Sequence, residues 1–248
     1  DHDGRWLYPD VPTPGTANSF SFQDDVVINE IMYHHQPSRG VNPIVVDTEE
    51  WIELHNRNPS QSADLTGWTI RGGIDFDFSA GTTIAAADYL VVAKNAAALA
   101  NRFPAISSKI IGDFSRSLSN SSDVILLRDA ADNPADEVEY FDGGRWPDQA
   151  DGGGSSLELR HASANNSRPE AWAASDESSR SNWNTYTFRG TAAPDTGPTN
   201  WNELILGLLD DGHVLIDDVT VHARPNGANT QIIQNGTFEA DAVGYSPD

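Results

Sequence analysis

Three segments near the front of the chain constrain its fold more than any other feature. They read VVINEIMYHH at residues 26–35, EEWIELHNRN at 49–58 and ADLTGWTIRGG at 63–73. In the second segment Ile52 and Leu54 alternate with the more polar positions Glu53 and His55. This period of two predicts a β-strand with one face in a core and the other toward solvent.

Further short strands are predicted along the chain at residues 68–71, 75–78, 89–93, 124–127, 137–141 and 156–160. A single helix is predicted at residues 95–103, where Asn95 can cap the first turn and Pro104 ends the alanine-rich run. The chain also has 20 Gly and 14 Pro in 248 residues, which is typical of many short strands joined by turns. The predicted fold class is therefore all-β.

The order of these segments resembles the lamin tail domain, an immunoglobulin-like β-sandwich. The resemblance runs from about residue 26 to 175 and includes the strand YLVV at 89–92 and the segment GGSSLEL at 153–159. It implies that Asn29 and Glu30 are structural, with side chains bonded to nearby backbone, and that Trp51 and Trp68 pack in the sandwich. TPGTAN at 13–18 is similar to the segment that closes such domains. Residues 1–22 are therefore interpreted as a linker or the end of a preceding module, and residues 23–176 as the sandwich.

A different pattern follows residue 176. Strands are predicted at residues 183–188, 200–209, 213–221 and 231–239, with the second and third forming a hairpin. LIDDV at 215–219 and NGTFE at 235–239 resemble signatures of jelly-roll carbohydrate-binding modules, here in reversed order. We therefore interpret residues 177–226 as a jelly-roll-like segment and residues 227–248 as the start of a further β module.

The charge balance excludes two classes of partner. Asp and Glu number 37 against 15 Lys and Arg, for a net charge of −22. Nucleic acids and anionic membrane surfaces both attract Lys and Arg, so neither is an expected partner. Cysteine is absent, which excludes disulfides, zinc–thiolate sites and a cysteine nucleophile. No run approaches the roughly 20 apolar residues of a membrane span.

Calcium is the expected cofactor, because hard cations take carboxylate and carbonyl oxygens. The densest acidic cluster comprises Asp210, Asp211, Asp217, Asp218, Glu239 and Asp241. The jelly-roll resemblance implies that Asp218 and Glu239 contribute to the site, and the predicted ligands are Asp217, Asp218, Glu239 and Asp241. The alternative is that these are ordinary surface acids. A second cluster, Asp129, Asp132, Asn133 and Asp136, is interpreted as a hairpin turn.

Other chemistries have weaker signals. His34 and His35, with Glu30 and His55, suggest a two-histidine, one-carboxylate metal site, but exposed histidines at a strand end are the favoured interpretation. The sequence has none of the motifs of hydrolase elbows, zinc proteases or nucleotide-binding loops, and an enzyme is not predicted. Three tryptophans are candidate platforms for sugar stacking: Trp146, Trp183 and Trp201.

The sequence thus predicts a non-catalytic binding, spacer or assembly module of a larger secreted or cell-surface bacterial protein. Its expected partners are neighbouring modules of the same polypeptide. Two alternatives stay open. One is a calcium-assisted carbohydrate-binding module that recognises a polysaccharide. The other is a structural protomer of an extracellular fibre that self-assembles through edge strands such as residues 231–238.

Overall fold

The computed structural model describes residues 7–9, 11–35, 49–177, 183–191, 207 and 214–238. The chain divides into two compact units, Asp1–Gly212 and His213–Asp248. Among the residues described, no helix is long and apolar enough to cross a membrane.

Strands of two to eight residues make up the sheets of the first unit, and the described part of the second unit has two strands of two residues each. In chain order they are β1 (Val26–Met32), β2 (Trp51–Asn56), β3 (Ala63–Asp64), β4 (Thr69–Gly72), β5 (Ile74–Asp77), β6 (Thr83–Ile84), β7 (Tyr89–Ala93), β8 (Ile110–Gly112), β9 (Ser115–Arg116), β10 (Ser122–Arg128), β11 (Pro134–Phe141), β12 (Leu157–Leu159), β13 (Trp172–Ala174), β14 (His222–Ala223) and β15 (Thr230–Gln231). The helix α1 spans Ala96–Arg102, and 3₁₀ turns occupy Pro104–Lys109, Asp148–Ala150 and Pro169–Ala171.

Two sheets form the first unit. One has six strands in the order β13-β12-β1-β2-β7-β8, and the other has five in the order β11-β10-β4-β5-β9. Every pair is antiparallel except β7 with β8. The short pair β3–β6 lies apart from both sheets. The structure confirms the predicted all-β class.

The core consists of apolar side chains that both sheets direct inward. Ile52 and Leu54 of β2 are completely buried, whereas Trp51, Glu53 and His55 are only half-buried. The five-stranded sheet contributes inward residues that include Ile70, Ile125, Leu127 and Val138. The alternation read from the sequence of β2 is therefore confirmed.

Helix α1 covers the outer face of the six-stranded sheet. Oδ1 of Asn95 accepts the backbone N–H of Ala98 at 3.0 Å, which satisfies one of the free donors at the start of the helix. Leu99 then packs with Val91 and Ile110 in a second, smaller apolar cluster. Both the helix and its cap are as the sequence predicts.

Three predicted strands need correction. Residues 183–188 are not a strand, and the side chains of Trp183, Tyr186 and Phe188 are 69%, 91% and 92% exposed. Residues 214–221 are not a strand either. Of the predicted strand at residues 231–239, only Gln231 lies in a strand, β15 (Thr230–Gln231), and residues 232–238 are not a strand. Apolar alternation creates a strand only where a neighbouring backbone pairs with it. The predicted hairpin partner of residues 213–221, residues 200–209, lies outside the described residues except for residue 207.

The second unit contains a small hairpin, in which β14 pairs with β15. The N–H of Val219 also donates to the carbonyl of Gly236 at 2.7 Å. The module boundary predicted between residues 226 and 227 falls in the turn of this hairpin, so the two sides of that boundary pair with each other.

Truncating Leu54, an inward side chain of β2, tests whether this strand faces the core of the sandwich. We expect Leu54→Ala to lower the free energy of unfolding by about 2–5 kcal/mol, because the deletion removes buried methyl groups and leaves a cavity. His55→Ala, on the outward face of the same strand, is the matched control and should cost less than half as much. Urea unfolding followed by circular dichroism measures both. Equal losses would contradict the inward placement of Leu54.

Candidate functional site

The first candidate site lies at the turn between β10 and β11, at one margin of the sandwich. The carboxylate of Asp129 accepts the backbone N–H groups of Ala131 and Asn133, each at 2.9 Å. The N–H of Asp129 in turn donates to the carbonyl of Asn133 at 2.9 Å. These bonds explain why Asp129 is buried, and they make this acidic cluster the hairpin turn that the sequence predicts.

The same turn holds a distant part of the chain. The side-chain amide of Asn133 is 7% exposed and makes two hydrogen bonds to the backbone of Tyr8. The N–H of Tyr8 donates to Oδ1 at 2.7 Å, and Nδ2 donates to the carbonyl of Tyr8 at 2.9 Å. We call the part of the chain ahead of residue 23 the leader, and the amide of Asn133 thus pairs with Tyr8 of the leader as a neighbouring strand would. We call this pair the leader clamp.

The neighbouring Asp136 joins the two sheets. Its Oδ2 accepts the N–H of Ile28 in β1 at 2.7 Å, and Nδ2 of Asn166 donates to both of its carboxylate oxygens, at 2.9 and 2.7 Å. Burial raises the pKa of Asp136, and the hydrogen bonds from Asn166 and Ile28 partly oppose that rise. Asp136 therefore has a structural role, because both of its carboxylate oxygens already accept hydrogen bonds.

Three glutamates form a row on the outer face of the six-stranded sheet. Glu30 of β1 lies directly opposite Glu158 of β12 on one side and Glu53 of β2 on the other. Like charges at directly opposite positions repel each other. Nδ2 of Asn29 donates to Oε1 of Glu53 at 2.9 Å, and the hydroxyl of Ser156 donates to Glu30. The predicted bond of Asn29 to nearby backbone is found with the side chain of Glu53 instead, because a β-bulge between Ile28 and Glu30 turns Asn29 toward β2.

Buried carboxyls in this region have raised pKa values. Burial is the main cause for Glu53, and the Glu158 charge adds to it, while the bond from Asn29 opposes it. Burial also raises the pKa of Glu50, against the lowering effect of its hydrogen bond from the N–H of Leu118. Each of these groups therefore favours its protonated form more in the folded than in the unfolded chain.

The histidines that suggested a metal site have separate partners. Nδ1 of His34 lies 2.5 Å from Oδ1 of Asp151, and Nδ1 of His35 lies 3.8 Å from Oε2 of Glu49. The ring of His55 stacks on Tyr89, with centroids 4.3 Å apart. In the part of the chain that the structure describes, no three His, Asp or Glu side chains are grouped as a metal site would require.

The predicted calcium ligands are only partly described. Asp217 and Asp218 are exposed, and Oδ1 of Asp217 accepts the N–H of Asp218 at 2.7 Å. Glu239 and Asp241 lie outside the described residues, as do Asp210 and Asp211. Calcium binding in this region therefore stays a prediction.

The candidate sugar platforms differ in exposure. Trp146 is 7% exposed and its ring centroid lies 6.1 Å from that of Trp172, so it packs against the core and has no open face. Its interpretation as a platform needs correction, because the loop after β11 folds its ring inward. Trp183 is well exposed, and Trp201 lies outside the described residues. The predicted packing roles of Trp51 and Trp68 agree with their positions against the two apolar clusters.

Sequence reasoning missed the residues that hold the leader. Asn133 and Tyr8 are 125 positions apart, and neither stands in a recognisable motif. A turn asparagine is ordinarily explained by local backbone bonds, so only the fold shows its second use.

The comparison with known families agrees with this architecture. Residues 21–142 match the family model described as Lamin Tail Domain. That region runs from just before β1 to the end of β11, while β12 and β13 of the same sheet follow it. None of the curated proteins compared with the chain matches it.

The raised pKa values predict how stability depends on pH. Because the folded chain binds protons more tightly at Glu50, Glu53 and Asp136, stability should increase as the pH falls from 7 toward the ordinary pKa of about 4. Glu53→Gln should therefore raise the melting temperature at pH 7.5 and reduce its dependence on pH. Glu139→Gln removes the same charge from an exposed position of β11 and is the control. Identical pH profiles for the two variants would contradict the effect of burial.

Calcium binding has a direct test. If Asp217 and Asp218 belong to a site, calorimetric titration with calcium should show saturable heat, and the melting temperature should rise with calcium concentration. Asp218→Ala should abolish both effects, whereas Asp132→Ala, in the β10–β11 turn, should not. Absence of heat with the unaltered chain would leave these acids as surface charge.

Proposed function

We infer, from the match of residues 21–142 to the lamin tail domain model, that this chain is a non-catalytic module which fixes neighbouring parts of its own polypeptide in place. The sandwich supplies a rigid body, and the leader clamp supplies the attachment. This proposal concerns spacing and assembly within a longer protein.

The observation that carries the proposal is the pair of hydrogen bonds between Asn133 and Tyr8. A flexible linker would make no such reciprocal contact, because ordering its backbone costs about 1–2 kcal/mol per residue. Asn133 is buried in the clamp, and its amide has the donor and the acceptor that one extended residue needs. The contact depends on backbone atoms, so it selects an extended conformation of the leader and not a particular side chain.

A second turn follows the clamp in the leader. The hydroxyl of Thr13 donates to Oδ1 of Asn18 at 2.8 Å and to the carbonyl of Ala17 at 3.1 Å. Gly15 has a φ of +83°, in the left-handed region that glycine adopts without steric cost. The leader therefore has two defined points, the clamp at Tyr8 and the closed turn at 13–18, before it enters β1. This supports a linker that sets the direction of the chain ahead of the sandwich.

We further propose that the polypeptide is a secreted or cell-surface bacterial protein. The support is compositional. An acid-rich surface with 37 Asp and Glu remains well hydrated and repels its own copies, and salt weakens that repulsion. Such a surface suits a module that works in a saline, extracellular medium as a spacer between other modules.

The clamp can be tested by removing its amide. Asn133→Ala should release Tyr8, so the amide of Tyr8 should exchange with deuterium at least about tenfold faster. Asn133→Asp keeps an acceptor for the N–H of Tyr8 but loses the donor to its carbonyl, and it should give an intermediate rate. Hydrogen exchange followed by mass spectrometry or NMR measures both.

The control is Asn165→Ala. The amide oxygen of Asn165 accepts only local bonds, from the N–H and hydroxyl of Ser167, so its loss should leave the exchange at Tyr8 unchanged. The amides of β10 and β11 should stay protected in every variant, which separates release of the leader from unfolding of the sheet. If Tyr8 exchanges equally fast in the unaltered chain and in Asn133→Ala, the proposed attachment fails.

A further inference from the structure

The strand β13 is an outer strand of the six-stranded sheet, and among the residues that the structure describes it pairs with β12 alone. The N–H of Arg160 donates to the carbonyl of Ala171 at 2.8 Å, and the N–H of Ser175 donates to the carbonyl of Ser156 at 3.0 Å. Backbone bonds alternate along an antiparallel pair, so Ala173 is the residue of β13 that faces β12. Trp172 and Ala174 consequently direct their backbone groups away from the sheet.

The outward backbone groups of Trp172 have hydrogen-bond partners, whereas those of Ala174 do not in the described part of the chain. The carbonyl of Trp172 accepts Nε of Arg160 at 3.0 Å, and its N–H donates to the carbonyl of Pro169 in the preceding 3₁₀ turn. No partner for the outward N–H and carbonyl of Ala174 is found in the described part of the chain. An open donor and acceptor on an outer strand form a template for an added strand.

A groove runs beside this strand. It has a volume of about 760 Å³ and is lined by Trp172, Ala173 and Ala174, with two arginines and one glutamate among its other residues. The glutamate, Glu170, pairs with Arg145. The guanidinium of Arg160 lies at the outer edge of β13, because its Nε is bound to the outward carbonyl of Trp172. The residues that line the groove include two arginines and one glutamate, so the lining itself carries one excess positive charge on a chain whose net charge is −22.

We propose that this groove, the β13 groove, binds an extended acidic segment of another protein. The segment adds to β13 through the N–H and carbonyl of Ala174, and one of its carboxylates pairs with the two terminal guanidinium nitrogens of Arg160, for which the described residues show no partner. Arginine holds a carboxylate through two parallel hydrogen bonds, which fixes the register of the added strand. The proposal goes beyond the attachment of the leader, since it concerns a separate partner at a different margin of the sandwich.

An acidic segment fits better than a second copy of this chain. Two bodies of charge −22 repel each other as they approach, whereas a short acidic segment brings little charge besides the carboxylate that Arg160 neutralises. A basic segment would place its cations beside Arg160, because Arg145 is already paired with Glu170. The charge of Arg160 therefore favours a negatively charged partner. The N–H and carbonyl of Ala174 favour a partner in an extended conformation.

The test uses three fluorescein-labelled peptides and the full chain, with anisotropy as the readout. The first peptide has the sequence Thr-Val-Glu-Val-Asp-Val-Thr, the second replaces both acids with Lys, and the third is the first with N-methylated backbone at alternate residues. We expect saturable binding of the first peptide, at least tenfold weaker binding of the other two, and weaker binding as salt increases.

Two variants locate the site. Ala174→Pro removes an N–H that makes no bond to β12, so the sheet should persist while peptide binding falls at least tenfold. Arg160→Gln should weaken binding at least fivefold, whereas Arg128→Gln, in the other sheet, should leave it unchanged. Circular dichroism confirms that each variant is folded. If Ala174→Pro unfolds the domain, the N-methylated peptide still tests the backbone pairing on the unaltered chain.

Several results would overturn the proposal. These are equal affinity for the acidic and lysine peptides, full binding of the N-methylated peptide, and no binding of any peptide. Sedimentation of the chain alone provides a further test, because a dimer abolished by Ala174→Pro would assign the groove to a second copy. Asn133→Ala should not change peptide binding, so failure here and failure of the leader clamp are separate results.

Discussion

Closure of the sandwich depends on the carboxylate of Asp136. The N–H of Ile28 points away from β2 at a bulge, and a buried donor left without an acceptor would cost about 1–3 kcal/mol. Asp136, on the opposite sheet, supplies that acceptor. The same carboxylate binds Asn166, whose carbonyl accepts the indole N–H of Trp172 at 2.9 Å. One acid therefore holds together β1, β11 and the segment that becomes β13, although its own burial raises its pKa.

The acidic composition is compatible with this fold because most carboxylates stay at the surface or bind backbone N–H groups. Asp64 and Asp129 accept N–H groups from residues two to four positions after them, which stabilises turns between short strands. Glu53 departs from this rule, since it lies in a row of three glutamates and is half-buried. Composition alone suggests ion binding for such a chain, whereas the described geometry shows many of the acids acting as turn acceptors.

The sequence predicts those parts of the fold that depend on local pattern. The alternation in β2, the cap at Asn95 and the turn at Asp129 each involve residues within a few positions, and the structure has them. The features that could not be predicted join residues far apart in the chain. Asn133 meets Tyr8 across 125 positions, and the exposed edge of β13 exists only because β12 inserts beside β1. Residues 183–188 have strand-like alternation but no paired backbone, so pattern alone misassigned them.

Both the β10–β11 turn and β13 present hydrogen-bonding groups that fit an extended backbone, and only the first has a bound segment among the described residues. Short strands leave backbone donors and acceptors unpaired at the edge of a sheet, and these groups select extended chain without regard to its sequence. At the β10–β11 turn a buried asparagine amide imitates such an edge and is paired with the leader. At β13 the described residues leave the N–H and carbonyl of Ala174 without a partner, and in the proposed site Arg160 adds the selectivity that backbone bonding lacks. A module with one margin bound to its own polypeptide and the other margin open can join two partners without any catalytic group, which is the property that a spacer or assembly domain requires.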